Sequence, residues 1–567
     1  MILADRQTGY PSVDKPWLKW YKVNEEIRIP DFSLYQNIWE NNKNNIDDIA
    51  LHYFGSKISY RELFELIDVA ERKLRRLGVN QGDTIAFISI YTPEMIATFY
   101  AINKIGAISA LMDPRTSPNS LAKYIEKAAI KYAFVQDACS DVMDKVLEYI
   151  AIDKIIILST ANYMPFPIKQ LFKIKIKGKA CDNRYVCYEN LKTQEYTESN
   201  ICKCLGNMPA VICYTGGTTG ESKGVLLSNL NVNSVVEQFR IYKEDLKRQQ
   251  KWLTISVPFI AYSLICSMHM PLSLGMQCYL EMYDNEKMPK TILKNRIHHV
   301  AATPEFYEQL LKYKVKDLSF LIMPTTGADK LSEKMYNAIN QRLKECKSTW
   351  KLCNGYGMTE VGSGACVSHK GNTNKVNSVG IPLVNTTVTA FNVETGEEVK
   401  QGEQGEICIS GPSVMLGYVA DEKATSEVIR THNGKRWMHT GDIGYIDEDG
   451  CVFICGRIKR MIVRFDGFKV FPAFVEEKML TCKRIDNCSC VAKDDKIHGS
   501  GQMPVLFYTL KDNNETEILV EEELRKIAEQ LLPSYSLPSE YICVDELPRT
   551  HAGKINYRKL EDIANIS

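Results

Sequence analysis

Between Ser59 and Met112 the sequence alternates helix, strand, helix, strand. After Ser59-Tyr-Arg-Glu-Leu, the residues Leu63, Leu66, Val69, Ala70, Leu74 and Leu77 recur at helical spacing, and Gly78 stands at the expected C-terminal stop. Gly82-Asp83 then turns into the apolar run Thr84 to Ile90, which predicts a buried strand. A second helix is expected from Pro93 to Ile105, ended by Gly106, and Ala107 to Met112 is another short apolar run. This order predicts a parallel α/β sheet. The same alternation recurs at Tyr132 to Val135, at Ile155 to Leu158 and at His299 to Thr303. From Val376 to Gly417 turn signals such as Thr395-Gly396 and Gly402 predict a β-rich subdomain, and the last hundred or so residues read as a small α+β unit.

Length and composition narrow the function. A chain of 567 residues buries a large core without staples, and 70 Lys+Arg against 69 Asp+Glu gives no whole-chain attraction to nucleic acid or anionic lipid. The eighteen cysteines are scattered with no C-x-x-C, which fits a reduced, cytoplasmic compartment. The N-terminus lacks the apolar core of a signal peptide and is expected to be mature and unprocessed. Trp252 to Leu280 contains no Asp, Glu, Lys or Arg, but Pro258, Pro271, Gly275, His269 and Gln277 make a buried helix broken at both prolines the expectation, with no stable membrane insertion. Between Tyr163 and Asn200 lies a Lys-rich insertion, read as a solvated surface excursion with contact to lipid or a fatty substrate as the alternative. His298-His299 lacks a carboxylate at metal-ligand spacing, and the histidines and cysteines are expected to offer no second site.

The segment Ala210 to Leu227 carries the chemistry. A buried strand feeds Thr215-Gly216-Gly217-Thr218-Thr219-Gly220-Glu-Ser-Lys223-Gly, and a second strand follows. Glycines let several backbone N–H groups converge on an anion, while hydroxyls and a lysine complete a phosphate cradle. It is not a Walker A loop, because Lys223 is preceded by Ser222 and followed by Gly224.

Tyr214 to Gly224 resembles the phosphate loop of the adenylate-forming superfamily, which contains acyl-CoA synthetases, 4-coumarate–CoA ligases, luciferases and peptide-synthetase adenylation domains. It departs at Gly216, where Ser or Thr is usual, and at Ser222, where Pro is usual. Further segments resemble the family in its order. Thr326-Gly327-Ala328-Asp329 resembles the strand end lining the adenine and acyl pockets. Asn354-Gly355-Tyr356-Gly-Met-Thr359-Glu360 resembles the adenine and metal segment, which implies that Tyr356 stacks on adenine, Thr359 bonds a phosphate and Glu360 helps hold Mg²⁺. Thr440-Gly-Asp442 resembles the ribose-binding segment. Gly456-Arg457-Ile-Lys459 resembles the segment whose Arg contacts ribose or phosphate and whose Lys is an interdomain hinge. Leu547-Pro-Arg-Thr-His-Ala-Gly-Lys554 resembles the loop that delivers the catalytic lysine, a cation favouring the transition state in which two anions meet.

The resemblance implies a large N-terminal adenylation region, residues 1–457, with parallel-rich sheets flanked by helices and a β-rich subdomain, followed by a small mobile α+β domain, residues 458–567. It implies that a carboxylic acid, ATP and Mg²⁺ give acyl-AMP and pyrophosphate, with CoA then taking the acyl group. Loading of a carrier-protein phosphopantetheine thiol is the alternative. The chain ends seven residues after Leu560, so a carrier is expected to act in trans. Relatives for α-amino acids place an Asp near the position of Ala261, so an apolar or aromatic acid is expected; Ala261, Tyr262, Gly327 and Val361 are its candidate pocket. The loop from Lys459 to Gly467 is one residue longer than in most relatives, and Lys469 stands where Gln, Asn or Arg is common. A non-catalytic nucleotide-binding regulator would carry substituted Lys554 or Glu360, and both are intact.

Overall fold

The structure, a computed structural model, describes residues 8–21, 26–175, 184–193, 205–215, 222–255, 257–282, 288–329, 331–512, 516–549 and 555–566. Local signals dictate the first helix, Tyr60–Leu77. The Ser59 side chain accepts from the Glu62 N–H, the Glu62 carboxylate accepts from the Ser59 N–H, and Gly78 closes the helix at φ +90°. The second helix, Pro93–Ile105, is capped by Thr92 and ends at Gly106 with φ +85°.

These helices flank an eight-stranded sheet in the order 417–418, 224–228, 209–214, 108–111, 84–88, 132–136, 154–158, 185–187. It is parallel from 209–214 to 185–187, as the alternation predicts, and antiparallel only where 224–228 joins. The central strand buries Ile85 through Ile88 on both faces, which is why it reads as a continuous apolar run. A nine-stranded sheet runs 381–382, 366–367, 353–356, 325–326, 299–302, 251–255, 277–281, 49–53, 56–59. The β-rich subdomain is a five-stranded antiparallel sheet of 387–391, 405–410, 429–432, 435–446 and 452–457. Beyond a turn at Ile458–Arg460, strands 485–494, 502–510 and 540–543 pack with helices Pro472–Met479 and Glu517–Leu531 around a separate core that includes Val475, Cys490, Leu506 and Leu524, and helix Tyr557–Ile566 packs Leu560 and Ala564 on Val491, Val505 and Phe507 in a second one.

The uncharged segment departs from expectation. Lys251–Ile255 and Gln277–Glu281 are neighbouring parallel strands, and the helix between them is not broken at Pro271. It runs as a π-helix over Ser263–His269 and continues α-helically through Met270–Ser273; a widened turn is one way a helix accommodates a residue without an N–H. Among the described residues no helix is long and apolar enough to cross a membrane. Within the Lys-rich insertion, Ile168–Lys175 is helical with Phe166, Ile168 and Leu171 exposed; residues 176–183 and 194–204 lie outside the described residues. Most cysteines are free thiols, and Cys187 is disulfide-bonded.

Inside the π-helix, His269 ties three elements together. Its Nε2 lies 3.0 Å from Asn233 Oδ1 and its Nδ1 3.0 Å from the Tyr100 hydroxyl; in the neutral ring that burial favours, Nε2 donates and Nδ1 accepts. Burial pushes its pKa down to about 3. The unfolded chain therefore takes up a proton near pH 6.5 that the native state refuses, so this contribution is fully present above pH 6.5 and is lost as pH falls toward 3. Urea unfolding at pH 7.5 and 5.5 is expected to show wild type losing about 1.4 kcal/mol more than His269→Gln over that interval. Equal losses in the two proteins would contradict the assignment.

Candidate active site

The site is assembled where the three large sheets meet. Thr325 and Thr326 pair in parallel with Cys353 and Asn354, which brings Gly327 beside Gly355. A Cβ on Gly327 would lie 3.1 Å from the Gly355 carbonyl oxygen, so glycine permits the close approach of these two segments. Ala328 follows at φ +67°, a left-handed conformation uncommon for a residue with a side chain, and Ala328 and Asp329 are exposed. Asn354 is buried and donates to the Ser378 carbonyl.

Asp442 is the focus of the polar geometry. It sits opposite Arg457 in the antiparallel pairing of 435–446 with 452–457, so the fifteen-residue spacing resolves into a cross-strand pair. The Asp442 carboxylate meets Arg457 Nε at 2.8 Å and accepts from the Tyr356 hydroxyl at 2.6 Å. Burial pushes this carboxyl above the usual carboxylate range, against the opposing pull of Arg457 and Tyr356. The Arg457 side chain is 55% exposed while the Asp442 carboxylate is buried, so the pair opens to solvent on the arginine side alone.

Glu360 lies in the turn Thr359–Val361, which Gly362 ends at φ +62°. Its buried carboxylate accepts from the Tyr418 hydroxyl at 2.8 Å. Burial raises its pKa; the Tyr418 hydrogen bond and the charges of Arg457 and Lys223 pull the other way. Lys223 Nζ stands 4.8 Å from the centroid of the Tyr418 ring, a cation–π distance. The base of the glycine loop is closed by two hydrogen bonds: Thr215 N–H donates to the Lys223 carbonyl at 3.0 Å, and Lys223 N–H to the Thr215 hydroxyl at 3.1 Å. Gly216, Gly217, Thr218, Thr219 and Gly220 lie outside the described residues.

Lys554 also lies outside the described residues, and its flanks are placed. Arg549 and Ile555 form an antiparallel bridge, and Tyr557 stacks under Arg460 with the guanidinium 3.6 Å from the ring centroid. Burial pushes the pKa of the Tyr557 hydroxyl up, and the group also feels the charges of Asp329 and Arg457 across the boundary between the two cores. Lys459 is exposed in the Ile458–Arg460 turn, and Lys469 pairs with Glu394 of the β-rich subdomain at 2.5 Å.

The four pocket candidates do not form one group. Gly327 sits at the strand end beside Gly355. Ala261 is buried with Phe259, Leu264 and Ile265, and the Tyr262 hydroxyl is enclosed without a hydrogen-bond partner among the described residues. Val361 is fully buried in another core, with Ala365, Ile407 and Ile409. Tyr418 was not legible as a site residue. It follows a Gly in an apolar stretch and reaches Glu360 only because 417–418 adds to the edge of the eight-stranded sheet.

A family model described as AMP-binding enzyme matches residues 38–419, and one described as AMP-binding enzyme C-terminal domain matches residues 475–554. The long-chain-fatty-acid–CoA ligase of Bacillus subtilis (strain 168) is 27% identical over 562 residues, covering 96% of this chain and 97% of that protein. A probable 4-coumarate–CoA ligase 2 of Dictyostelium discoideum is 29% identical over 499 residues, 86% and 87% of the two chains. The solved structure of ATP-bound MatB from Rhodopseudomonas palustris has the same fold, with a TM-score of 0.80 at 20% identity over 94% of this chain and 99% of that one.

Proposed function

Because the chain belongs to the family of AMP-binding enzymes, the adenylate-forming superfamily, we propose that it joins an apolar or aromatic carboxylic acid to CoA through an acyl-AMP intermediate. The observation that carries this reading is the convergence of Tyr356, Asp442, Arg457, Glu360 and Lys223 from separate sheets. Asp442 would accept hydrogen bonds from the ribose hydroxyls. Tyr356, held at its hydroxyl, would present its ring to adenine, with the backbones of Gly327 to Asp329 and of Asn354 and Gly355 walling the base. Thr215 to Gly220, Thr359 and Lys223 would cradle phosphate.

The donor chemistry of Glu360 fits magnesium, since a hard cation takes carboxylate oxygen. Bound with the nucleotide, Mg²⁺ supplies charge neutralisation at the phosphates. Lys554 would stand between the acid and the α-phosphate, so that a carboxylate oxygen attacks the α-phosphorus as the bond to pyrophosphate breaks. The CoA sulfur would then attack the acyl carbon, AMP leaving and the thiol proton passing to solvent. We assign residues 458–567 as the unit that reorients between the steps, with Lys459 as hinge.

Ala261 supports the substrate class. An α-ammonium group needs a carboxylate partner, and an alanine among apolar neighbours offers none. Pyrophosphate release over a panel of medium-chain, aryl and α-amino acids tests this, with mass detection of acyl-CoA against acyl-carrier product. Saturable release with at least one apolar or aromatic acid, and an acyl-CoA product, are expected. Robust turnover of an ordinary α-amino acid, with none of the simple acids, would overturn the substrate class.

A further inference from the structure

Behind the ribose carboxylate lies a second cluster with a different chemistry. We propose that Glu406, Cys408 and His439 form a binding site for a soft divalent transition-metal ion of the zinc class, separate from the magnesium assigned to Glu360. Among the described residues this is the one group of three potential ligands whose donor atoms all lie within 4.8 Å of one another. His439 Nδ1 is 2.8 Å from Glu406 Oε2 and 3.3 Å from Cys408 Sγ. Oxygen, sulfur and imidazole nitrogen form a borderline-soft set that suits zinc or cobalt and not magnesium. Ligand atoms around tetrahedral zinc stand roughly 3.3–3.6 Å apart, from bond lengths of about 2.0–2.3 Å, so the two distances from His439 Nδ1 need open by only fractions of an ångström.

The backbone explains why the donors converge. Cys408 and His439 are directly opposed in the antiparallel pairing of 405–410 with 435–446, and the register shifts between Glu406 and Cys408. No sequence spacing announces the site, because its ligands come from two strands more than thirty residues apart. His432 completes it from a third strand. An Asn433-Gly434 turn with both residues at positive φ folds 429–432 back on 435–446, and this places His432 Nε2 3.1 Å from His439 Nε2. A metal-bound histidine ordinarily donates its other ring N–H to a fixed partner, and His432 stands in that place. Phe391 stacks on the His432 ring at 4.7 Å and holds it. Three protein ligands leave a fourth position for water.

Binding would release the Cys408 thiol proton to solvent and move the His439 ring proton from Nδ1 to Nε2, with His432 changing tautomer and no further net proton. Glu406 Oε1 accepts from the Gly441 N–H at 3.0 Å, so an ion on Oε2 would tether the irregular stretch of strand that leads into Asp442.

Full-length protein, stripped with a chelator and kept reduced, is titrated with Co²⁺ as a spectroscopic stand-in for zinc. One equivalent is expected to produce a thiolate-to-cobalt band in the near ultraviolet and intense visible d–d bands, neither displaced by a large excess of Mg²⁺. Both are expected to vanish in Cys408→Ser, and His432→Gln is expected to weaken cobalt affinity about 10- to 100-fold. No band in wild type, or the same band in folded Cys408→Ser, would overturn the proposal. Should Cys408→Ser fail to fold, His432→Gln decides: unchanged affinity there overturns it as well.

Discussion

Lys554→Ala is expected to slow acyl-AMP formation by about 10²- to 10³-fold, equivalent to about 3–4 kcal/mol, while thioester formation from supplied acyl-AMP continues nearly unimpaired. The reason is electrostatic. A carboxylate and a phosphate repel as they approach, and a fixed cation between them favours the transition state over the separated reactants. The loop that carries the lysine is bracketed by the Arg549–Ile555 bridge and by Tyr557, which feels Asp329 and Arg457 of the nucleotide side. The thiol step has no use for this residue in the proposed mechanism, so the two rates should separate. Both are to be measured on one preparation, with circular dichroism showing the variant folded. Equal slowing of both steps, or of neither, would remove Lys554 from the role proposed for it.

Asp442→Ala is expected to raise the ATP concentration needed for half-maximal rate by roughly 10- to 150-fold for each ribose hydrogen bond lost, since a bond to a charged group contributes about 1.5–3 kcal/mol. The substitution also strands the Tyr356 hydroxyl, whose partner at 2.6 Å is this carboxylate. Arg457→Ala removes the charge that opposes the burial of the Asp442 carboxylate, so its effect reaches the site through that group. ATP binding measured calorimetrically on folded Asp442→Ala checks the first figure. Unchanged affinity would exclude Asp442 from the nucleotide site.

What the sequence revealed depended on how local its signal was. The helix opening at Ser59 and the stops at Gly78 and Gly106 involve residues within one helical turn, and they were legible. The parallel sheet was legible because strands buried on both faces read as continuous apolar runs between amphipathic helices. The helix through Pro271 was not, because a proline signals a break unless the preceding turn widens, and that widening depends on packing around His269. At the site, Asp442 and Arg457 were each legible from the motifs that carry them, and their cross-strand pairing is what the structure adds. Tyr418 over Glu360, Val361 within the core and the Glu406–Cys408–His439 cluster depend on which strands become neighbours, and no local pattern encodes that.

The most direct test of the central claim follows an oxygen atom. An acid that supports pyrophosphate release is supplied with ¹⁸O in its carboxylate, together with ATP, Mg²⁺ and CoA, and the products are weighed by mass spectrometry. Attack of the carboxylate on the α-phosphorus predicts one ¹⁸O in AMP for each acyl-CoA formed, and none in pyrophosphate. Label in inorganic phosphate with ADP as the product, or acyl-CoA formed with unlabelled AMP, would contradict the acyl-adenylate mechanism.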